Sequence, residues 1–189
     1  MIYKKYTFFQ LIQLCFLVLI TKLLFSKARL IRFPFFIRGK NFFHYESGLT
    51  LGRSNRFEIF SNSFNKNPAL VIGKNVQIND FNHIGCMNSI EIGDDCLLGS
   101  RITIIDHNHG DYKKISASDL DKKPIDRKYQ IKSVIIGKNV WVGDNVVILP
   151  GSKIGDNVVI GAGSVVRGEF ATNSLIVGNP AKIKRKWQD

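Results

Sequence analysis

Acidic residues are missing from the first part of this chain. Before Glu46 there is none, while Lys4, Lys5, Lys22, Lys27, Arg29, Arg32, Arg38 and Lys40 all fall there. Cysteine is scarce: Cys15, Cys86 and Cys96 are few, odd in number and lack CxxC spacing. That argues against a disulfide framework or a structural zinc site and for a reducing compartment, with each thiol expected as a small buried apolar group. Long hydrophobic runs are also lacking. Residues 8–25 read FFQLIQLCFLVLITKLLF, but the uninterrupted apolar run is only Leu14 to Ile20. A spanning helix needs roughly 20 such residues. A signal peptide is disfavoured because the one small-x-small site, Ser26-Lys27-Ala28, is followed directly by basic residues.

What is present is one domain's worth of chain. Its 189 residues, 44% of them hydrophobic, are enough for a sizeable core. The net charge is +12, and a second basic cluster (Lys182, Lys184, Arg185, Lys186) lies at the other end. Two separate basic ends predict two separate anionic partners, and no nucleic-acid motif lies between them, so no nucleic-acid partner is expected. On a helix, Gln10, Gln13 and Thr21 share one narrow stripe. With the basic flank, this predicts a helix lying on an anionic membrane surface, the alternative being a helix packed on the domain or on a partner subunit.

Between these ends the chain repeats every six residues. An aliphatic residue recurs at Ile136, Val142, Ile148, Ile154, Ile160 and Val166, usually followed by Gly. Upstream the same period runs Ile72, Ile78, Ile84, slips by two residues, and resumes at Ile92, Leu98 and Ile104. A period of six would wander around an α-helix, which turns about 100° per residue. It suits three short strands wound into a triangular coil, with the aliphatic residue inside and Gly permitting the corner. Stacked coils then share one continuous core. Between Asp106 and Ser133 the period is lost to a polar excursion.

These repeats resemble the hexapeptide-repeat acyltransferases, from about residue 48 to residue 186. NVWVGDNVVILPGSKIGDNVVIGAGSVV and VGNPAKIKRKW look like that family's last coils and C-terminal signature. INDFNHIG, DHNHG and RLIRFPFFIRGKNFF look most like the O-acetyltransferases of capsule, O-antigen and other surface polysaccharides. The resemblance implies an all-β fold, a left-handed parallel β-helix, with an N-terminal helical segment (1–40), a β-helix domain (41–186), a loop at 106–133 and a short tail (187–189). It also implies a homotrimer with active sites between subunits and transfer of acetyl from acetyl-CoA to a sugar hydroxyl, in a ternary complex without metal. The acceptor would belong to a surface polysaccharide or its lipid-linked precursor. Such an enzyme would work in the cytoplasm, where acetyl-CoA is, on the inner face of the membrane if the N-terminal helix binds there.

The residues fit that chemistry. Acetyl transfer needs a base for the hydroxyl proton, a group orienting the acceptor, and donors for the oxyanion. IIDHNHGDY holds two of the chain's four histidines at the base of a loop leaving a rigid scaffold, and imidazole titrates near working pH. Ungapped alignment with the family puts the base on His109, with His107 as the alternative. Asp106, Asp111 or a backbone carbonyl would orient it. Asn79 replaces the corner Gly and matches the family's acceptor-binding asparagine; alternatively, Asn simply tolerates a left-handed corner. By the same resemblance, Trp141, Gly143, Gly161, Ala162, Gly163 and Ser164 would line the pantetheine groove. Lys182 and Arg185 would meet the phosphates of coenzyme A, and Arg167 would stand in for the family's usual Lys. His44 and His83 are expected to be structural or surface residues. Two rival readings remain: a metal enzyme similar to the γ-class carbonic anhydrases using His83, His107 and His109, and a non-catalytic β-helix that binds a glycan or a partner.

Overall fold

The computed structural model describes residues 6–62, 65–112 and 116–188. They form a left-handed parallel β-helix with three faces, preceded by one helix, Phe8–Leu24. The hexad aliphatics stack vertically inside. On the first face Leu51, Ile78, Leu98, Val142, Ile160 and Ile176 are in register from coil to coil, and all are buried. Hydrophobic burial along these columns is the main favourable contribution to folding. The final strand, Ala181–Lys186, turns back antiparallel on Ser174–Gly178, and Trp187 still donates its N–H to the Asn173 carbonyl at 2.8 Å.

The β-helix starts earlier than the sequence pattern indicates. Leu30–Ile31 pairs with Thr50–Leu51, and Phe35–Arg38 pairs with residues of Asn55–Ile59, so residues 30–40 belong to the first coil and not to the helical segment. Aromatic residues hide the hexad period there. Phe25, Phe35, Phe43 and Phe57 pack edge to face or tilted, with ring centroids 5.1 to 5.8 Å apart, and fill the lower end of the core. An open sheet end needs such a cover.

The helix begins at a capping box formed by Thr7 and Gln10. Of its polar stripe only Thr21 turns fully inward. Thr21 is fully buried and accepts the N–H of Ile31 at 2.9 Å, while Gln10 and Gln13 border a cleft shared with Arg32 and Arg53. Cys15 on this helix is exposed, contrary to the expectation for it. Cys86 and Cys96 are buried, and burial pushes both thiols up, Cys96 to about 11.

The corners have a different logic from the one the sequence suggests. Gly52, Gly73, Gly99 and Gly137 are absent from the positive-φ positions; the left-handed residue comes two positions later, at Ser54, Asn75, Arg101 and Asn139. Asn and Asp tolerate that conformation best. The Gly is needed because the next coil passes too close. A Cβ on Gly52, Gly73, Gly99 or Gly137 would lie 2.1 to 2.4 Å from the Oδ1 of Asp80, Asp94, Asp144 or Asp156. Each of those carboxylates accepts the backbone N–H of Arg53, Lys74, Ser100 or Lys138, at 2.6 to 2.8 Å. Asn79 escapes the rule because the residue above it is Ser100, whose hydroxyl accepts the Asp80 N–H at 3.3 Å. Gly99→Ala should therefore lower stability by about 1–3 kcal/mol. Adding Asp144→Ser, which recreates the Asn79/Ser100 arrangement, should restore at least part of it, read from denaturant midpoints. A serine that deepens the loss would sink this steric account.

Candidate active site

The chain leaves the second face after Thr103–Ile105 and enters the loop through an antiparallel hairpin, His107–His109 against Tyr129–Ile131. Asp106, at the departure point, is fully buried. Its carboxylate accepts the N–H of Met87 at 2.8 and 3.0 Å and that of Asn88 at 2.7 Å. Met87 and Asn88 lie at the corner where the six-residue period slips. The enlarged corner points two backbone donors at one carboxylate, and charge-assisted bonds of this kind offset its desolvation.

The third partner of Asp106 is His107, whose Nδ1 lies 3.0 Å from Oδ1. With a carboxylate there, Nδ1 carries the proton and Nε2 is left as the acceptor. The ring is partly buried beside Gly85, where a Cβ would come within 3.3 Å of its Cε1, and Tyr129 meets it edge-on at 5.8 Å. His109 is held differently. Its Nδ1 is 3.2 Å from the Pro124 carbonyl oxygen, and its ring leans on Tyr129 at 4.8 Å. Both rings thus present Nε2, but only His107 has a carboxylate behind it. Asp111 instead lines a cavity of about 430 Å³ within the loop, with Asp119, Lys122, Asp126 and Arg127.

His83 adjoins the same place. Its Nε2 lies 3.1 Å from Glu58 Oε2, the oxygen that Arg56 Nε reaches at 3.3 Å. Burial, reinforced by the Arg56 charge, lowers the His83 imidazole from its ordinary value, which favours its neutral form. Glu58, Gly85 and Tyr129 were not singled out from the sequence, because strand pairing and the loop hairpin bring them in from distant positions. The two-residue slip between Ile84 and Ile92 was a signal for the Asp106 site. His83, His107 and His109 spend a ring nitrogen on three different partners, and among the described residues no group of three ligating side chains is arranged to hold a metal ion.

Asn79 lies at a different corner, between the first and second faces. It is not left-handed; Phe81, with φ 62°, makes that turn. Its Oδ1 accepts from Gln77 Nε2 at 3.1 Å, and the residue lines a cleft of about 420 Å³ with Arg32, Arg53, Asp80 and Ser100. His107 is not among the residues lining that cleft. The residues expected to meet the acyl donor cluster on and beside the first face. Trp141 is exposed there, in register with Leu97 and Val159, with Gly143 and Gly161–Ser164 at the adjoining corner. Ser164 is structural: buried, it donates to the Gly161 carbonyl at 2.6 Å and accepts the Gly178 N–H at 3.1 Å. Lys182 and Arg185 extend the same face through the last strand, whereas Arg167 follows the second face.

Asp106→Ala would orphan the Met87 and Asn88 N–H groups and should cost about 2–5 kcal/mol of stability. His107→Ala, at the edge of the fold, should cost under about 1 kcal/mol. Unfolding midpoints of the two variants check this, and equal losses would mean that the carboxylate does not tie the corner.

Comparison with known proteins follows the same lines. Residues 133–168 match the family described as bacterial transferase hexapeptide (six repeats), and residues 89–105 match the hexapeptide repeat of succinyl-transferase. Over 185 residues the chain is 38% identical to WbbJ of Escherichia coli (strain K12), a putative lipopolysaccharide biosynthesis O-acetyl transferase, spanning 97% of this chain and 92% of that one. Among solved structures is that of a mutant of AntD, an N-acyltransferase from Bacillus cereus, in complex with dTDP-4-amino-4,6-dideoxyglucose and coenzyme A. It has a TM-score of 0.70 at 17% identity, covering 86% of this chain and 83% of that one. NeuO, a polySia specific acetyltransferase, has a TM-score of 0.53 at 24% identity, covering 78% and 68%. These two structures are evidence of shared fold.

Proposed function

Because this chain belongs to the hexapeptide-repeat acetyltransferases, we propose that it transfers acetyl from acetyl-CoA to a sugar hydroxyl of lipopolysaccharide or a related surface polysaccharide, with His107 as general base. The observation that carries the assignment of the base is the buried Asp106 carboxylate on His107 Nδ1. It fixes the tautomer with Nε2 free and stabilises the imidazolium formed when Nε2 takes the hydroxyl proton. The acceptor oxygen then attacks the thioester carbonyl, and the tetrahedral intermediate collapses to ester and thiolate. The imidazolium returns its proton to the departing sulfur, so the base is regenerated. Gly85 lets the ring lie close against the strand, since a Cβ there would meet its Cε1 at 3.3 Å. His109 and Tyr129 wall the loop side. Trp141 and the small residues Gly143 and Gly161–Gly163 offer a surface for the pantetheine arm, with Lys182 and Arg185 toward the phosphates. Work on the cytoplasmic side, where acetyl-CoA is made, accords with this.

Asn79 and His107 sit at different corners of one chain. A homotrimer in which the corner of one copy faces a corner of the next would unite them in sites between subunits, with Asn79 orienting the acceptor for its neighbour's His107.

Thiol release from acetyl-CoA against a panel of sugars tests the base. His107→Ala should lose a factor of about 10² or more, and His109→Ala less than about tenfold. The reverse order would move the base to His109, and wild-type protein that releases no thiol with any acceptor would remove the reading altogether. Co-expression tests the shared site. Inactive Asn79→Ala and His107→Ala chains should recover about one quarter of wild-type activity when mixed at random in a symmetric assembly, because that fraction of sites has both native residues. No recovery would confine each site to one chain.

A further inference from the structure

The helix Phe8–Leu24 is apolar both on the side packed against the protein and on the side turned away from it. Toward the protein lie half-buried Leu14, Leu17 and Ile20 with buried Thr21, while Gln10 and Gln13 stay exposed at the rim of the cleft. The outward stripe is Phe8, Ile12, Phe16, Leu19 and Leu23, with relative exposures of 72%, 52%, 60%, 59% and 75%. Their spacing of three and four residues makes a continuous ridge, and Phe9 widens it. Single exposed apolar residues need no explanation, but a contiguous ridge on a surface helix marks something that covers it.

Charge complementarity selects the occupant. No acidic residue occurs before Glu46, while eight basic residues do. This end of the molecule therefore attracts anions, and a second copy docked ridge to ridge would bring like charges together. No helix among the described residues is long and apolar enough to cross a membrane, and 17 residues rise only about 25 Å. A helix of this length, apolar on its free side and flanked by Lys and Arg, suits the plane of a bilayer interface.

We propose that this helix seats the protein on an anionic lipid surface, the Phe8-to-Leu23 ridge entering the acyl boundary and the N-terminal cations meeting the headgroups. Thr21, bonded to Ile31, and Lys22, which donates to the Ala28 carbonyl, fix the β-helix to the seated helix instead of leaving it on a tether. Arg32 and Arg53 line both the cleft beneath the helix and the cleft of Asn79, so the two clefts adjoin. An acceptor carried on a lipid would then reach Asn79 without leaving the membrane surface.

Co-sedimentation of the full chain with phosphatidylcholine vesicles, with and without about 30% phosphatidylglycerol, tests the seating. Binding should rise at least about tenfold with the anionic lipid and weaken as salt increases. Phe16→Ser combined with Leu19→Ser should lose at least about tenfold in binding, with an unchanged unfolding midpoint and unchanged thiol release toward soluble acceptors. Wild-type protein that ignores both vesicles overturns the proposal. So does a double variant that keeps its vesicle binding but shows a smaller assembly mass by light scattering, because the ridge would then be covered by another copy. Seating is read without any turnover, so its failure leaves the acetyl-transfer reading untouched.

Discussion

Coils of a parallel β-helix stack at about the spacing of neighbouring strands, ~4.8 Å, and at the corners this leaves no room for a Cβ beneath the carboxylate of the coil above. The Gly–Asp pairs Gly52/Asp80, Gly73/Asp94, Gly99/Asp144 and Gly137/Asp156 show the constraint and its use together. The small residue admits the carboxylate, and the carboxylate satisfies the backbone N–H of the following residue below. Along the edge of Gly73 and Gly137, Asn139 donates its side-chain amide to Asn157, and Asn157 to Asn173, each at 2.9 Å, holding successive left-handed corners in line. The columns of aliphatic side chains depend on this register, because a corner that moved apart would also separate the strands.

The corners that break the rule are those of Asn79 and of Asp106, on which the proposed chemistry rests. Asn79 is possible because Ser100 stands where the neighbouring coils have Asp, which gives a polar side chain room at an edge otherwise made of Gly. The enlarged corner at Met87 and Asn88 turns two N–H groups toward Asp106, and that carboxylate then has an oxygen available for His107. A single buried group thus ties two coils together and orients an imidazole. Stability and preorganisation share one set of bonds there, and local rules of a fold are most often violated at functional sites.

The N-terminal helix extends this to the surface. One side is spent on the protein, through Leu14, Leu17 and Thr21, and a second apolar side faces outward. The ridge lies beside the adjoining clefts of Arg32 and Arg53, and under the proposed seating a lipid-carried sugar would meet the acceptor corner there.

Much of this was legible in the residues. The period of six established the coil, the loss of period after Ile104 marked the loop, and Asn79 stood out as a break in the Gly pattern. The explanation of the corners was not legible, because the reason for Gly lies in the coil above, 19 to 45 residues away, and not in its own φ. Neither was the first coil, where phenylalanines replace the aliphatic repeat. His107 and His109 cannot be ranked by counting along IIDHNHGDY. Both present a free Nε2, and what separates them is whether a carboxylate or a carbonyl faces Nδ1. Periodicity along the chain therefore determined the architecture, since each hexad repeats one local solution. Only the stacking of coils decided the site, because the donors that hold Asp106, and through it His107, come from a different turn of the helix.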